Sequence, residues 1–140
     1  LHVLLRFNIE YKIIEEDFKV SELPDIWNEE FKKLFNFDVD NDSNGCLQDI
    51  HWFSGDFGYF PTYTLGAMIA AQISDLIRKK MPKFKEHIQE GKFNNLKKWL
   101  TQNIHEKASF YSTKQILKLV TNDELKTSFF INYIKSKYLN

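Results

Sequence analysis

The residues best equipped for chemistry lie between positions 45 and 66. The stretch opens Gly45-Cys46-Leu47-Gln48-Asp49-Ile50-His51-Trp52 and runs on through Phe57-Gly58-Tyr59-Phe60-Pro61-Thr62-Tyr63-Thr64-Leu65-Gly66. An imidazole, His51, stands beside a carboxylate, Asp49, with two phenols, Tyr59 and Tyr63, close behind. Glycines at 55 and 58 let the backbone pass close to other groups. Taken alone, the cluster has two readings: a structural loop plugged by aromatic rings with Asp49 capping a turn, or the polar wall of a cleft.

Other groups that could do chemistry are sparse. The histidines are His2, His51, His87 and His105. No two are four apart, so no His-Glu-x-x-His zinc helix is present; His105-Glu106 begins one, but Ser109 stands where its second His belongs. Asp38 to Asp49 mimics a twelve-residue calcium loop. It has Ser43 where the loop needs Gly and Asp49 where Glu is usual, and reads better as a solvated polar loop. Cys46 has neither a base nor an activated setting in view, so no nucleophile is expected there.

The stretch Gly45-x-x-Gln48-Asp49-x-His51-Trp52 resembles the Gly-x-x-Gln-Asp-x-His-Trp signature of the carboxypeptidase Taq family of metallocarboxypeptidases. The continuation to Gly66 is similar to that family too, with Ala67 where its members usually carry Asn. The opening Leu1-His-Val-Leu-Leu-Arg6-Phe-Asn-Ile-Glu10 and the run Leu23-Pro24-x-x-Trp27-Asn28-Glu29 also resemble it, so the likeness covers essentially the whole chain in order.

The resemblance implies the all-α, helical C-terminal part of a zincin-type, neurolysin-like peptidase that removes C-terminal residues from peptides. Such enzymes hold zinc or another divalent metal on a His-Glu-x-x-His helix and a later Glu, all missing here, so the resemblance implies that this chain holds no metal and is inactive alone. Related oligopeptidases of the thimet and neurolysin type use a His, and a Tyr twelve residues on, to donate hydrogen bonds to the tetrahedral oxyanion. His51 and Tyr63 have that spacing. By the same analogy Gln48, Asp49, Tyr59 and Arg6 are candidates for substrate contact. For each a structural role stands beside the functional one: buried hydrogen bonding for Gln48 and Tyr59, capping or orienting His51 for Asp49, and an ion pair for Arg6. The implied partners are peptide substrates, the missing N-terminal part of the enzyme and a second copy in a homodimer. The alternative is a non-enzymatic helical interaction module left by a split or decayed peptidase gene.

The elements that must position these residues follow from apolar spacing. Leu1, Leu4, Leu5, Ile9, Ile13 and Ile14 predict a helix over 1–18, with Glu10, Lys12, Glu15 and Glu16 mostly opposite. Ser21 to Pro24 starts a second helix reaching Phe35, giving a helical pair over 1–35. Residues 36–62 predict an ordered, aromatic, Gly-rich loop. Residues 63–140 predict a helical bundle: a central helix over 63–80, a short one over 84–89 closed by Gly91, and helices over 93–107, 113–120 and 123–138, with Ser112 and Asn122 as N-caps. Together these form a single helical segment, 1–140.

Composition bounds the rest. The 140 residues carry 19 basic and 19 acidic side chains, which gives no basic excess for nucleic acid. Aromatics reach 16%, which is globular rather than disordered. One Cys, no long apolar run and no charged leader predict a cytoplasmic protein without a membrane span. Leu1, standing where an initiator Met would and opening a helix in mid-pattern, predicts a piece of a longer chain.

Overall fold

The computed structural model describes residues 1–16 and 19–139, with the side chain at each of these except 108. Among the described residues the regular structure is helical, without strands. The chain divides into two compact units, residues 1–65 and 66–140.

In the first unit, α1 (His2–Glu15) packs on α2 (Leu23–Phe35). Leu5 and Ile9 are four apart, as are Trp27 and Phe31, so each helix turns two of these side chains to the same seam. With Cys46 they form the buried core. The predicted first helix ends at Glu15, and residues 17 and 18 lie outside the described residues. Leu1, Leu4 and Ile14 of the predicted apolar face are exposed, whereas Glu10, read as lying opposite, is buried. A 3-10 turn, Val20–Glu22, leads into α2, whose second residue is Pro24; a first turn tolerates proline because its amide has no helical partner. Asn36 ends α2 in the left-handed conformation, donating its N–H to the Lys32 carbonyl. Phe37 then folds its ring against Phe31, 5.1 Å between centroids.

The predicted loop is ordered, with 3-10 turns at Asp42–Asn44, Cys46–Gln48 and Trp52–Ser54. It ends two residues early: α3 spans Pro61–Lys80, because Pro61 suits a first helical position. Tyr63 therefore sits on the first turn of a helix.

In the second unit, α3 is less enclosed than a central helix should be. Gln72 and Ile77 are buried, but Leu65, Ala67 and Ala70 are exposed, so its neighbours cover one face only. α4 (Phe84–Gln89) closes through Gly91 at φ 70°, a left-handed position that suits glycine. The predicted helix over 93–107 is α5 (Asn94–Asn103) followed by a 3-10 stretch, His105–Phe110. α6 (Thr113–Thr121) starts at Ser112 with a full capping box to Gln115. Asn122 is not an N-cap. It ends α6 in the left-handed conformation, and α7 (Thr127–Tyr138) begins five residues later behind Lys126. No described helix is long and apolar enough to cross a membrane.

Candidate functional site

His51 opens the turn Trp52–Ser54, and the turn is fixed from behind by Asp49. Asp49 is 1% exposed and both its oxygens are engaged. Oδ1 accepts from the Trp52 backbone N–H at 2.9 Å, and Oδ2 accepts from Arg6 Nε at 2.5 Å. A buried carboxylate needs such partners to offset its lost hydration. The guanidinium in turn lies over two rings, 5.0 Å from the Trp27 centroid and 5.4 Å from that of Phe60. Asp49 thus caps the turn. Its Oδ1 lies 3.8 Å from His51 Nδ1, beyond hydrogen-bond range.

His51 leans on the buried ring of Phe60 at 4.7 Å and reaches Tyr63, Nε2 to phenol oxygen 3.2 Å. The two rings meet edge to face. Tyr59 lies alongside, 6.0 Å from the imidazole and 5.3 Å from the Tyr63 ring. Tyr59 and Tyr63 are exposed and His51 is half-buried, so all three present polar atoms at the surface of this unit. A shallow hollow of about 170 Å³ runs past His51, Tyr63, Phe60, Gln48 and Arg6.

The predicted residues therefore divide. His51, Tyr63 and Tyr59 form one cluster with free edges. Arg6 and Asp49 are joined to each other beneath it: Arg6 gives its Nε to Asp49, both oxygens of Asp49 are engaged, and both residues border the hollow. Gln48 is exposed but turns its amide N–H to the Ser43 carbonyl. His2 borders the hollow, 3.4 Å from Arg6; its burial, then the Arg6 charge, hold its pKa below the ordinary imidazole value.

Two contributors were missed in the sequence. Glu10, 5% exposed, accepts from the Trp52 indole N–H at 3.0 Å and from the Gly58 backbone N–H at 3.2 Å. Trp52, packed edge-on against Trp27, is thus a hydrogen-bond donor as well. The available signal was the four-residue step from Arg6 to Glu10, which places both on one helix face. Gly45 has a steric reason to be glycine. A Cβ there would lie 3.0 Å from Val39 Cγ1, 3.3 Å from the Asn41 carbonyl and 3.3 Å from Trp27 Nε1. Burial, with the Asp42 charge second, pushes the Cys46 thiol pKa up, the opposite of an activated nucleophile. Among the described residues no three His, Cys, Asp or Glu side chains converge as a metal site would require.

The chain is similar to known proteins along nearly its whole length. A family model described as carboxypeptidase Taq (M32) metallopeptidase matches residues 1–138. Thermostable carboxypeptidase 1 of Pyrococcus furiosus is 39% identical over 138 residues, and carboxypeptidase 1 of Bacillus subtilis 36% identical over 140. The chain spans 28% of the length of each. Among solved structures, a Pyrococcus furiosus carboxypeptidase superposes with a TM-score of 0.93 at 39% identity, over 98% of this chain and 28% of that one. Trypanosoma cruzi metallocarboxypeptidase 1 gives 0.93 at 32% identity, over 99% of this chain and 28% of that one.

Proposed function

The chain belongs to the carboxypeptidase Taq (M32) metallopeptidase family, and from that premise we propose that it is the C-terminal part of a cytoplasmic, metal-dependent carboxypeptidase acting on peptide C-termini. In this reading it supplies the oxyanion-stabilising wall of the cleft, and the N-terminal part of the enzyme supplies the metal. The residues present do not fit a metal centre: the four histidines are not spaced as ligands, and no described cluster offers three donors. The contribution of this chain is therefore hydrogen bonding and shape.

The observation that carries the reading is the 3.2 Å approach of His51 Nε2 to the Tyr63 hydroxyl. Without substrate the two groups satisfy each other. An acceptor oxygen placed about 2.8–3.0 Å from both would complete a near-equilateral triangle with them. When a peptide carbonyl becomes tetrahedral, charge builds on its oxygen. The mutual bond then opens, the Tyr63 O–H and the protonated His51 Nε2 turn to that oxygen, and both bonds strengthen toward the transition state. The Arg6–Asp49 pair and the buried Phe60 ring hold the imidazole in place, so little reorganisation accompanies the reaction. Tyr59 and Gln48, exposed beside the pair, contact the substrate chain. A second copy of the enzyme completes a homodimer in this reading.

Three measurements test it. The reading frame upstream of Leu1 should encode His-Glu-x-x-His, and a stop codon instead would overturn the reading. In the full enzyme, His51→Ala and Tyr63→Phe should each lower kcat by roughly 10²–10³-fold and change KM little. Unchanged kcat in both would refute the oxyanion role. The 140-residue chain supplied with zinc should release no C-terminal residues. Chelator-sensitive release by it alone would refute the division of labour.

A further inference from the structure

Helix α1 carries Arg6 and Glu10 one turn apart on the same face, and each engages a different part of the loop. Arg6 holds Asp49, two residues before His51. Glu10 acts on the other side. Its Oε1 accepts from the indole of Trp52, the residue after His51, and its Oε2 accepts from the Gly58 N–H, three residues before α3 begins at Pro61. His51 is thus bracketed by two anchors on one rigid element, and the second also holds the strand of loop that delivers Tyr63. Each oxygen of Glu10 has its own donor, and the carboxylate is buried. Such a group fixes its donors tightly, because leaving either oxygen bare in a low-dielectric setting is costly.

We propose that Glu10 is a positioning residue for the reaction: its carboxylate sets the separation of His51 and Tyr63 by holding both ends of the stretch between them. This rests on the oxyanion reading of that pair. It differs from a role in stability alone, because only the positioning role ties the Glu10 contacts to the geometry of the donors.

Glu10→Gln is the direct test. The amide keeps the size of the side chain but puts an NH2 where one oxygen accepted, so one of the two donors loses its partner and faces another donor. In the full enzyme, at a temperature well below its unfolding, kcat should fall on the order of 10- to 100-fold with KM almost unchanged, as for a small misplacement of catalytic groups. Adding Trp52→Phe removes the indole donor, so the amide oxygen can turn to Gly58 without a clash. Because Glu10 and Trp52 act through one shared contact, the double variant should lose less kcat than the two single losses combined, and simple additivity would overturn the proposal. On the 140-residue chain, the Trp52 indole and Gly58 amide proton resonances should shift in Glu10→Gln, together with those of His51 and Tyr63. Unmoved His51 and Tyr63 signals beside a shifted indole would reduce Glu10 to a stabiliser and overturn the proposal. Normal kcat in Glu10→Gln, where His51→Ala and Tyr63→Phe are impaired, overturns the role of Glu10 alone. Normal kcat in those two overturns the oxyanion reading beneath it.

Discussion

Among the described residues, each unit buries one long polar side chain from a helix against a following loop: Glu10 in the first, Gln72 in the second. The loops ask for different things. Around Glu10 the loop offers two N–H groups, from Trp52 and Gly58, and a carboxylate with two acceptor oxygens matches them. Around Gln72 the turn before α7 offers one carbonyl, from Glu124 at 2.9 Å, and one N–H, from Lys126 at 3.0 Å, and a neutral amide matches that pair. The units also differ in what surrounds these groups. The first has a contiguous buried core of Leu5, Ile9, Trp27, Phe31 and Cys46 and stacks its candidate site on it. In the second, the described apolar residues that are buried are Ile77 and Leu117. The buried charge, the buried ion pair and the larger apolar core all fall where two donors must hold a fixed separation. The neutral amide falls where a turn needs only to be closed.

The strongest way to break this contrast is to attack the larger core. Trp27 is 2% exposed, and Trp27→Ala should cost about 3–5 kcal/mol, through lost burial and the cavity left behind. Urea denaturation of the 140-residue chain measures it, and a loss smaller than that of Leu117→Ala would remove the distinction. The next effect separates the two polar anchors. Gln72→Ala leaves the Lys126 N–H and the Glu124 carbonyl without their partner and should cost about 1–3 kcal/mol of stability, with kcat of the full enzyme unchanged. A kcat loss equal to that of Glu10→Gln would show that both anchors serve the site.

The smallest effect is chemical. Burial raises the Cys46 thiol pKa above its ordinary value, so the thiol stays protonated in the fold at neutral pH. Its contribution to stability is fully present below the unfolded thiol's pKa and is lost as pH rises through the higher folded value. Alkylation by iodoacetamide should be slow in the folded chain and speed up on unfolding. Equal rates in both would mean that the core around Cys46 is open.

The helical class, the α1–α2 seam and the Ser112 cap were legible because each depends on near neighbours in sequence: the four-residue steps Leu5–Ile9 and Trp27–Phe31, and a Ser three residues before a Gln. The His51–Tyr63 pair was legible through its motif and spacing. Three features were not. Asn122 could not be placed, since Asn serves both as an N-cap and as a left-handed helix end, and only the path of the chain decides which. The start of α3 was hidden because Pro61 follows a run of aromatics and glycine that masks the first turn. Glu10 was assigned to the solvent face by helical periodicity. Its donors lie 42 and 48 residues away, and no local pattern reports a partner at that distance.

The missing methyl of Gly45 has a consequence for how this segment can vary. Trp27 Nε1 is a buried side-chain nitrogen without a hydrogen-bond partner among the described residues, and it faces that glycine across a gap that would hold another carbon only as a tight contact. The signature thus opens on a demand for emptiness. The exposed Leu47 could exchange for other side chains, whereas alanine at 45 would make Val39, the Asn41 carbonyl and the Trp27 indole give way by a few tenths of an ångström. In a saturation library selected for folding, position 45 should be closed by volume, and His51 should be open until the selection is switched to turnover.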